Sequence, residues 1–170
     1  MTPVEVRPVV RSDAAELIRN NVVSRAYHEP WLRAFTDNEG FDAWFSGLVG
    51  GANIGLIAHE VTSGGVVGVI NLSEVSLRSF QSAYLGYYGM VDLAGRGLMT
   101  EAVRKAARYA FAEVGLHRLE ASIQPANVRS IELVRRIGFR REGFSPRYLR
   151  IDGVWCDHEH WALLSDEPML

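Results

Sequence analysis

At 170 residues with 48% apolar side chains, the chain suits one domain that can close a core without disulfides or a structural metal. Its 18 Lys and Arg against 20 Asp and Glu leave a formal charge of −2, which gives no global reason to expect nucleic-acid or anionic-membrane binding. The single cysteine, Cys156, excludes an intrachain disulfide framework and fits a reducing compartment.

In chain order, "VEVRPVV" (4–10) alternates as a strand, with Pro8 marking an edge or the strand's end. The opening "MTPVEVRPVV" has neither a basic n-region nor an apolar h-region, and no apolar run reaches a membrane span of about 20 residues. A cytoplasmic protein is expected. "SDAAELIRNNVV" (12–23) begins with a capping signal at Ser12 or Asp13, and Ala14, Leu17, Ile18 and Val22 mark one helical face. "YHEPWLRAF" (27–35) is irregular and aromatic, while "EGFDAWFSGLVGG" (39–51) reads as a short helix closed by Gly50 and Gly51.

"NIGLIAHEV" (53–61), "SGG" and "VVGVINLSEV" (66–75) form strand, turn and strand, followed by another strand in "SAYLGYYGMV" (82–91). A glycine-bearing loop then opens onto "LMTEAVRKAARYAFAEVG" (98–115), where Leu98, Ala102, Ala106, Tyr109, Ala110 and Phe111 keep helical spacing and Gly115 is the stop. "HRLEASIQP" (117–125) is a strand ended by Pro125, and "NVRSIELVRRIG" (127–138) is a helix capped by Asn127 and stopped by Gly138. "FRREGFSPRYLRI" (139–151) and "VWCDHEHWALL" (154–164) pair around an Asp152-Gly153 turn. The order β α α β β β α β α β β gives one mixed α/β domain over residues 1–170, with the first half of its sheet antiparallel.

The loop "DLAGRGLMTE" (92–101) carries the chemistry. The first amides of a helix lack intrahelical partners, and the dipole is positive there. Gly95 and Gly97 have no Cβ, so a phosphate can approach the backbone and the amides of Leu98, Met99 and Thr100. Arg96 either adds charge or points to solvent, and a plain β-to-α turn is the alternative. A Rossmann fingerprint is poorly met, because Thr100 holds its third glycine position and three or four antiparallel strands precede the loop. A P-loop is excluded, since no G-K-[ST] follows.

The stretch Asp92-x-x-Gly95-x-Gly97 resembles motif A of the GNAT acetyltransferase superfamily, Q/R-x-x-G-x-G/A, with Asp92 departing from the usual first residue. "YLGYYGMVDLAGRGLMTEA", "LHRLEASIQPANVRSIELVRRIGFRREG" and "YLRIDGVWCDHEHWALL" are similar to the RimJ/RimL group of ribosomal-protein-alanine N-acetyltransferases, over most of residues 84–164. The resemblance implies a mostly antiparallel sheet, splayed in the middle and flanked by helices. It also implies acetyl-CoA as co-substrate, no metal, and direct transfer to an amine with no acyl-enzyme, so Cys156 is not needed as a nucleophile. The expected acceptor is a protein N-terminus such as that of a ribosomal protein. The alternatives are a small-molecule amine, or an idle acyl-CoA-binding sensor.

By the same resemblance, the loop amides hold the pyrophosphate and Asp92 points away from it. The strand through Gly89, Met90 and Val91 pairs with the pantetheine arm, and a bulge at Gly89 would suit the splay. Asn127 orders that arm, and Ser130 faces the departing thiolate. The basic run Arg135, Arg136, Arg140 and Arg141 either ends the helix in solvent or supplies one of its first pair, Arg135 being the one named, to the 3′-phosphate. Val134 stands where many relatives carry a Tyr acid, and Leu149 where the RimL pattern carries a Glu base. Glu74 and Glu120 are either substitutes for that base or structural, and a water chain or an acceptor amine of pKa about 8 is the alternative that needs no dedicated base. Asp157 and His158, on opposite strand faces, are candidates to reach the acceptor, and His160 shares the face of His158. Tyr27, Trp31, Phe35 and Trp44 either wall an acceptor slot or pack the core.

Overall fold

In the computed structural model, which describes residues 3–170, alternating burial builds a seven-stranded sheet in the order β1-β2-β3-β4-β5-β7-β6. The strands are β1 (Val4–Pro8), β2 (Ile54–Glu60), β3 (Val66–Ser76), β4 (Ser82–Gly89), β5 (Arg118–Ile123), β6 (Arg140–Ile151) and β7 (Val154–Leu164). All neighbours are antiparallel except β4 and β5, which run parallel and pair only from Ser82–Arg118 to Tyr84–Glu120. Beyond Tyr84 the two strands part. The expected strand order, hairpins and central splay are present, with one added helical turn at Arg25–His28 that reaches into the stretch read as irregular.

Period-2 alternation sends successive side chains to opposite faces. Leu56, Ala58, Ile70 and Leu72 join one core with α4 (Leu98–Ala112) and α5 (Val128–Ile137). Ile57 and Val69 join a second with α1 (Ala14–Val23) and α3 (Asn38–Val49), which follows the single turn α2 (Arg25–His28). The α4 stripe is Leu98, Ala102, Val103, Ala106, Ala107 and Ala110, all buried. Tyr109 and Phe111, expected on it, sit half-buried at its flanks, because small residues let this helix lie close to the sheet. A Cβ on Gly68 would collide with the Tyr88 carbonyl and the Met99 sulfur, so glycine at that position sets how closely the start of α4 approaches β3 and β4.

Three local expectations need correction. Val22 is 53% exposed, and Asn21 takes the buried place instead, donating to the Phe35 carbonyl at 2.9 Å. Asp13 does not cap the first turn of α1 with its side chain. It faces back, accepting from Arg7 at 2.7 and 2.9 Å and from the Val10 amide at 2.8 Å. A guanidinium with two matched N–H groups outcompetes a helix amide for a carboxylate. Third, the β3–β4 ladder stays regular through Gly68–Gly89, and its irregularity lies at Ser73–Ser76, where Glu74 has φ 53°. The splay is on the other edge of β4 and needs no bulge. Met1 and Thr2, part of the stretch inspected for a leader, lie outside the described residues. No helix among the described residues is long and apolar enough to cross a membrane.

The Arg7 hydrogen bond holds the Asp13 carboxyl below its ordinary value. A lowered folded-state value stabilises above the unfolded-state titration, and the contribution disappears as pH falls through the folded value. Asp13→Ala is expected to cost about 2 kcal/mol in urea unfolding at pH 7, with the difference from the parent shrinking toward pH 3. Equal midpoints at pH 7 would refute the pairing.

Candidate active site

Where β4 and β5 part, three hollows adjoin one another. The first, of 710 Å³, lies over the glycine loop and the start of α4. A neck of 150 Å³ shares Tyr27, Gly89, Met99 and Arg129 with it. The same neck shares Trp31, Tyr87, Asn127 and Ser130 with a chamber of 590 Å³ between the loop 29–37 and the β6–β7 hairpin. The result is a passage from the helix start, along the unpaired edge of β4, to the chamber.

At the first hollow, Gly95 and Gly97 have φ of 76° and 74°, and a Cβ on either would meet open space. Gly97 begins α4 without a side-chain cap, and the first helical turn closes only at the Glu101 amide, 3.3 Å from the Gly97 carbonyl. The amides of Leu98, Met99 and Thr100 therefore have no partner within the helix, and all three residues line the hollow. This is an anion-binding surface made of backbone. Asp92 is exposed on the preceding 3₁₀ turn, off the wall, as expected from its charge.

Two arginines are arranged differently from the sequence expectation. The Arg96 guanidinium grips Glu60, whose side chain is only 6% exposed and also accepts from Ser63 Oγ at 2.6 Å. Its side chain is thereby drawn off the hollow's wall. Arg135 pairs with Glu132 at 3.0 Å and also stays off the wall, which Arg129 and Arg136 reach instead. Helical geometry is the reason: positions 129, 132–133 and 136 share a face, and 135 does not.

The backbone donors of β4 are also redistributed. The Met90 amide bonds the Val67 carbonyl at 2.9 Å, and the Val91 amide bonds Ser24 Oγ at 3.0 Å. Antiparallel ladders alternate, so the backbone groups of Gly89 and Tyr87 point away from β3 and into the gap. The donors facing the passage are thus the N–H groups of Tyr87 and Gly89, not those of Met90 and Val91. Met90 contributes its side chain to the wall, and Val91 does not line it. The Gly89 carbonyl accepts from Nε2 of His28 at 2.8 Å. Burial lowers the pKa of His28, so the neutral ring holds this carbonyl as a donor.

In the neck, Ser130 Oγ lies 2.6 Å from the Tyr87 hydroxyl, which also reaches the Ser130 carbonyl at 3.1 Å. Asn127 caps α5, its Oδ1 accepting the Ser130 amide at 3.3 Å. Burial raises the Tyr87 pKa, so the phenol stays protonated. Val134, at the position of the missing tyrosine acid, is 0% exposed in the core. A phenol does reach this site, from β4 rather than from α5. Leu149 lines the chamber where the resemblance leads one to look for a glutamate.

Glu74 is not brought to Ser130. It is exposed on the β3 bulge and lines a separate 230 Å³ hollow with Glu120, at the closed end of the β4–β5 pairing. Glu120 accepts from Arg118 at 2.8 Å. His158 is 2% exposed and lines the chamber, while Asp157 is exposed and accepts the Arg147 amide at 2.8 Å. Trp31, Phe35 and Trp44 line the chamber, and Tyr27 lines the neck. Among the described residues no Asp or Glu lines the chamber, and Arg33, ion-paired to Asp152 at 3.0 Å, is its one Lys or Arg. Sequence reasoning missed His28 and Tyr87. Strand parity held a signal for Tyr87, which shares the face of Leu85 toward α5.

The family model for the acetyltransferase (GNAT) domain matches residues 4–140. The uS5 ribosomal protein-alanine N-acetyltransferase of Escherichia coli is 42% identical over 102 residues, 60% of this chain and 53% of that one. The chain spans about half the length of the curated relatives it matches. The structure of Mycobacterium smegmatis RimJ, in complex with CoA-disulfide, superimposes with a TM-score of 0.87 at 29% identity, covering 96% of this chain and 82% of that one. A Vibrio cholerae spermidine N-acetyltransferase bound to CoA and spermine shares the fold, with a TM-score of 0.81 at 17% identity over 96% of both chains. With its family model matched from β1 to the start of β6, and an uncapped helix start facing a splayed sheet, the chain belongs to the GNAT acetyltransferase family.

Proposed function

We propose that this protein transfers the acetyl group of acetyl-CoA to the N-terminal amine of a protein, of the ribosomal-protein-alanine kind. The observation that carries this reading is the passage from the uncapped start of α4 to the Ser130–Tyr87 pair and the chamber beyond. The glycine loop fits a pyrophosphate, with three free amides, open space above Gly95 and Gly97, and Arg129 and Arg136 nearby for further phosphate charge. The N–H groups of Tyr87 and Gly89 on the gap edge suit a pantetheine arm and the acetyl carbonyl.

Ser130 faces the departing sulfur in this reading. With the Tyr87 hydroxyl donating its hydrogen bond to Ser130 Oγ, the serine hydrogen is free to point at the thiolate. The phenol thus orients a donor without ionising. The acceptor is assigned from the chamber. A polyamine carries several cationic centres and needs carboxylates around it, and among the described residues none lines this chamber. A peptide N-terminus presents one amine on a neutral chain, for which aromatic walls and a lone arginine at the rim are suited.

Acetylation of a panel holding Ala- and Ser-initiated peptides and spermidine tests this reading. Peptides are expected to be consumed and spermidine left. Preferential spermidine turnover would overturn the peptide assignment, and coenzyme A binding with no thiol release on any acceptor would leave only an acyl-CoA sensor. Gly97→Glu is expected to abolish coenzyme A binding by calorimetry, because a carboxylate would fill the open space over the loop; unchanged affinity would refute the cradle. Ser130→Ala is expected to lower kcat by about 10²-fold with little change in KM for acetyl-CoA, and Tyr87→Phe to act in the same direction more weakly. An unchanged kcat in Ser130→Ala would remove the hydroxyl from the chemistry.

A further inference from the structure

A transfer from a thioester to an ammonium group must first remove a proton, and neither glutamate named from the sequence reaches the chamber. Among the described residues, one imidazole does. His158 comes from β7, is 2% exposed, and lines the chamber together with Asn127, Ser130 and Tyr87. Its Nδ1 lies 2.9 Å from the Cys156 carbonyl. A carbonyl can only accept, so Nδ1 carries the hydrogen and the neutral ring presents a bare lone pair at Nε2. Nε2 has no hydrogen-bond partner among the described residues.

The neighbouring histidine shows the contrast. His160 is saturated, with Ser122 Oγ at 3.2 Å from Nδ1 and Ser145 Oγ at 2.8 Å from Nε2. Ser145 sits opposite His158 in the β6–β7 register, yet its hydroxyl is taken by His160. Tyr148 packs against both rings, at 5.9 Å from His158 and 4.6 Å from His160, and steadies their planes. The ladder shifts between Ser145 and Leu149, and across the strand Leu149 pairs with Cys156. The apolar side chain at 149 and the basic ring at 158 are therefore neighbours on one chamber wall.

We propose that His158 is the general base of the transfer, accepting a proton from the acceptor amine at Nε2. The proposal rests on the acetyl-transfer reading above. The acceptor ammonium gives one proton to Nε2 and attacks the thioester carbon as a neutral amine. The N–C bond forms and the C–S bond breaks with its electron pair on sulfur. Of the three protons on the original ammonium, one stays on the amide, one leaves through His158 to water, and one reaches the thiolate by way of the Ser130 side. The Cys156 carbonyl fixes the tautomer, so residue 156 serves through its backbone and its thiol takes no part.

The test uses two peptides of the same sequence, one ending in an ordinary α-amine of pKa about 8 and one in an aminooxy group that is uncharged at neutral pH. His158→Gln is expected to lower kcat for the α-amine peptide by about 10²-fold, to leave KM for acetyl-CoA unchanged, and to spare the aminooxy peptide. Imidazole added to His158→Ala is expected to restore part of the α-amine rate. Equal losses on both peptides would make His158 structural, and no loss on either would exclude it. A wild-type protein that binds coenzyme A but acetylates neither peptide would fail the transfer reading itself, and is distinguished by the parent's inactivity. On the unmutated protein, nitrogen-15 NMR is expected to find the His158 hydrogen on Nδ1; a hydrogen on Nε2 would overturn the proposal without any substitution.

Discussion

A parallel pairing of three residue pairs holds the two halves of the sheet together, and the rest of the site depends on its shortness. Parallel strands spend every second backbone group on each neighbour. When β5 turns away after Glu120, the inward-facing groups of β4 lose their partners but remain polar and only half-buried. Such groups are costly to leave unpaired. Two solutions occur side by side. The Gly89 carbonyl is satisfied internally by His28, whereas the N–H groups of Tyr87 and Gly89 face the passage. The gap therefore offers the N–H groups of Tyr87 and Gly89 and the Tyr87 carbonyl, while the Gly89 carbonyl is already taken.

The two ends of the passage use different physics. At the α4 end the positive potential comes from peptide dipoles, while Glu60 at the end of β2 is paired with Arg96 and Glu132 on the hollow's wall is paired with Arg135. At the chamber end the walls carry several aromatic side chains, and three of the polar groups are held by a second contact: Ser130 by Tyr87, Trp44 by Asn71, His158 by the Cys156 carbonyl. Burial of these partners removes rotamer freedom, which is what a reacting geometry requires.

Most of the fold was legible in the sequence because its signals are local. Asn127 and Gly138 bracket α5, Gly115 ends α4, and Asp152-Gly153 makes the hairpin turn, each through its own backbone conformation. The glycine loop was legible for the same reason. What stayed hidden depends on pairings distant in sequence. Arg96 looked free because Glu60 is 36 residues away. Met90 and Val91 looked like donors because nothing local reveals that Val67 and Ser24 claim their amides. Arg135 and Arg136 differ by one helical step of about 100°, and only the position of the hollow decides between them. The Ser130–Tyr87 contact joins α5 to β4 across 43 residues.

The commitment of Arg96 to Glu60 has a consequence for how such a loop can change over time. An anion surface built from main-chain amides does not depend on the identity of the side chain between its glycines. Residue 96 is therefore free to serve the scaffold, here by tying the loop to the end of β2. Substitutions there would alter how firmly the loop is anchored while leaving its three amides in place. The constraint falls instead on positions 95 and 97, where positive φ and empty space leave glycine as the unstrained choice. Variation and invariance can thus alternate residue by residue along one short turn.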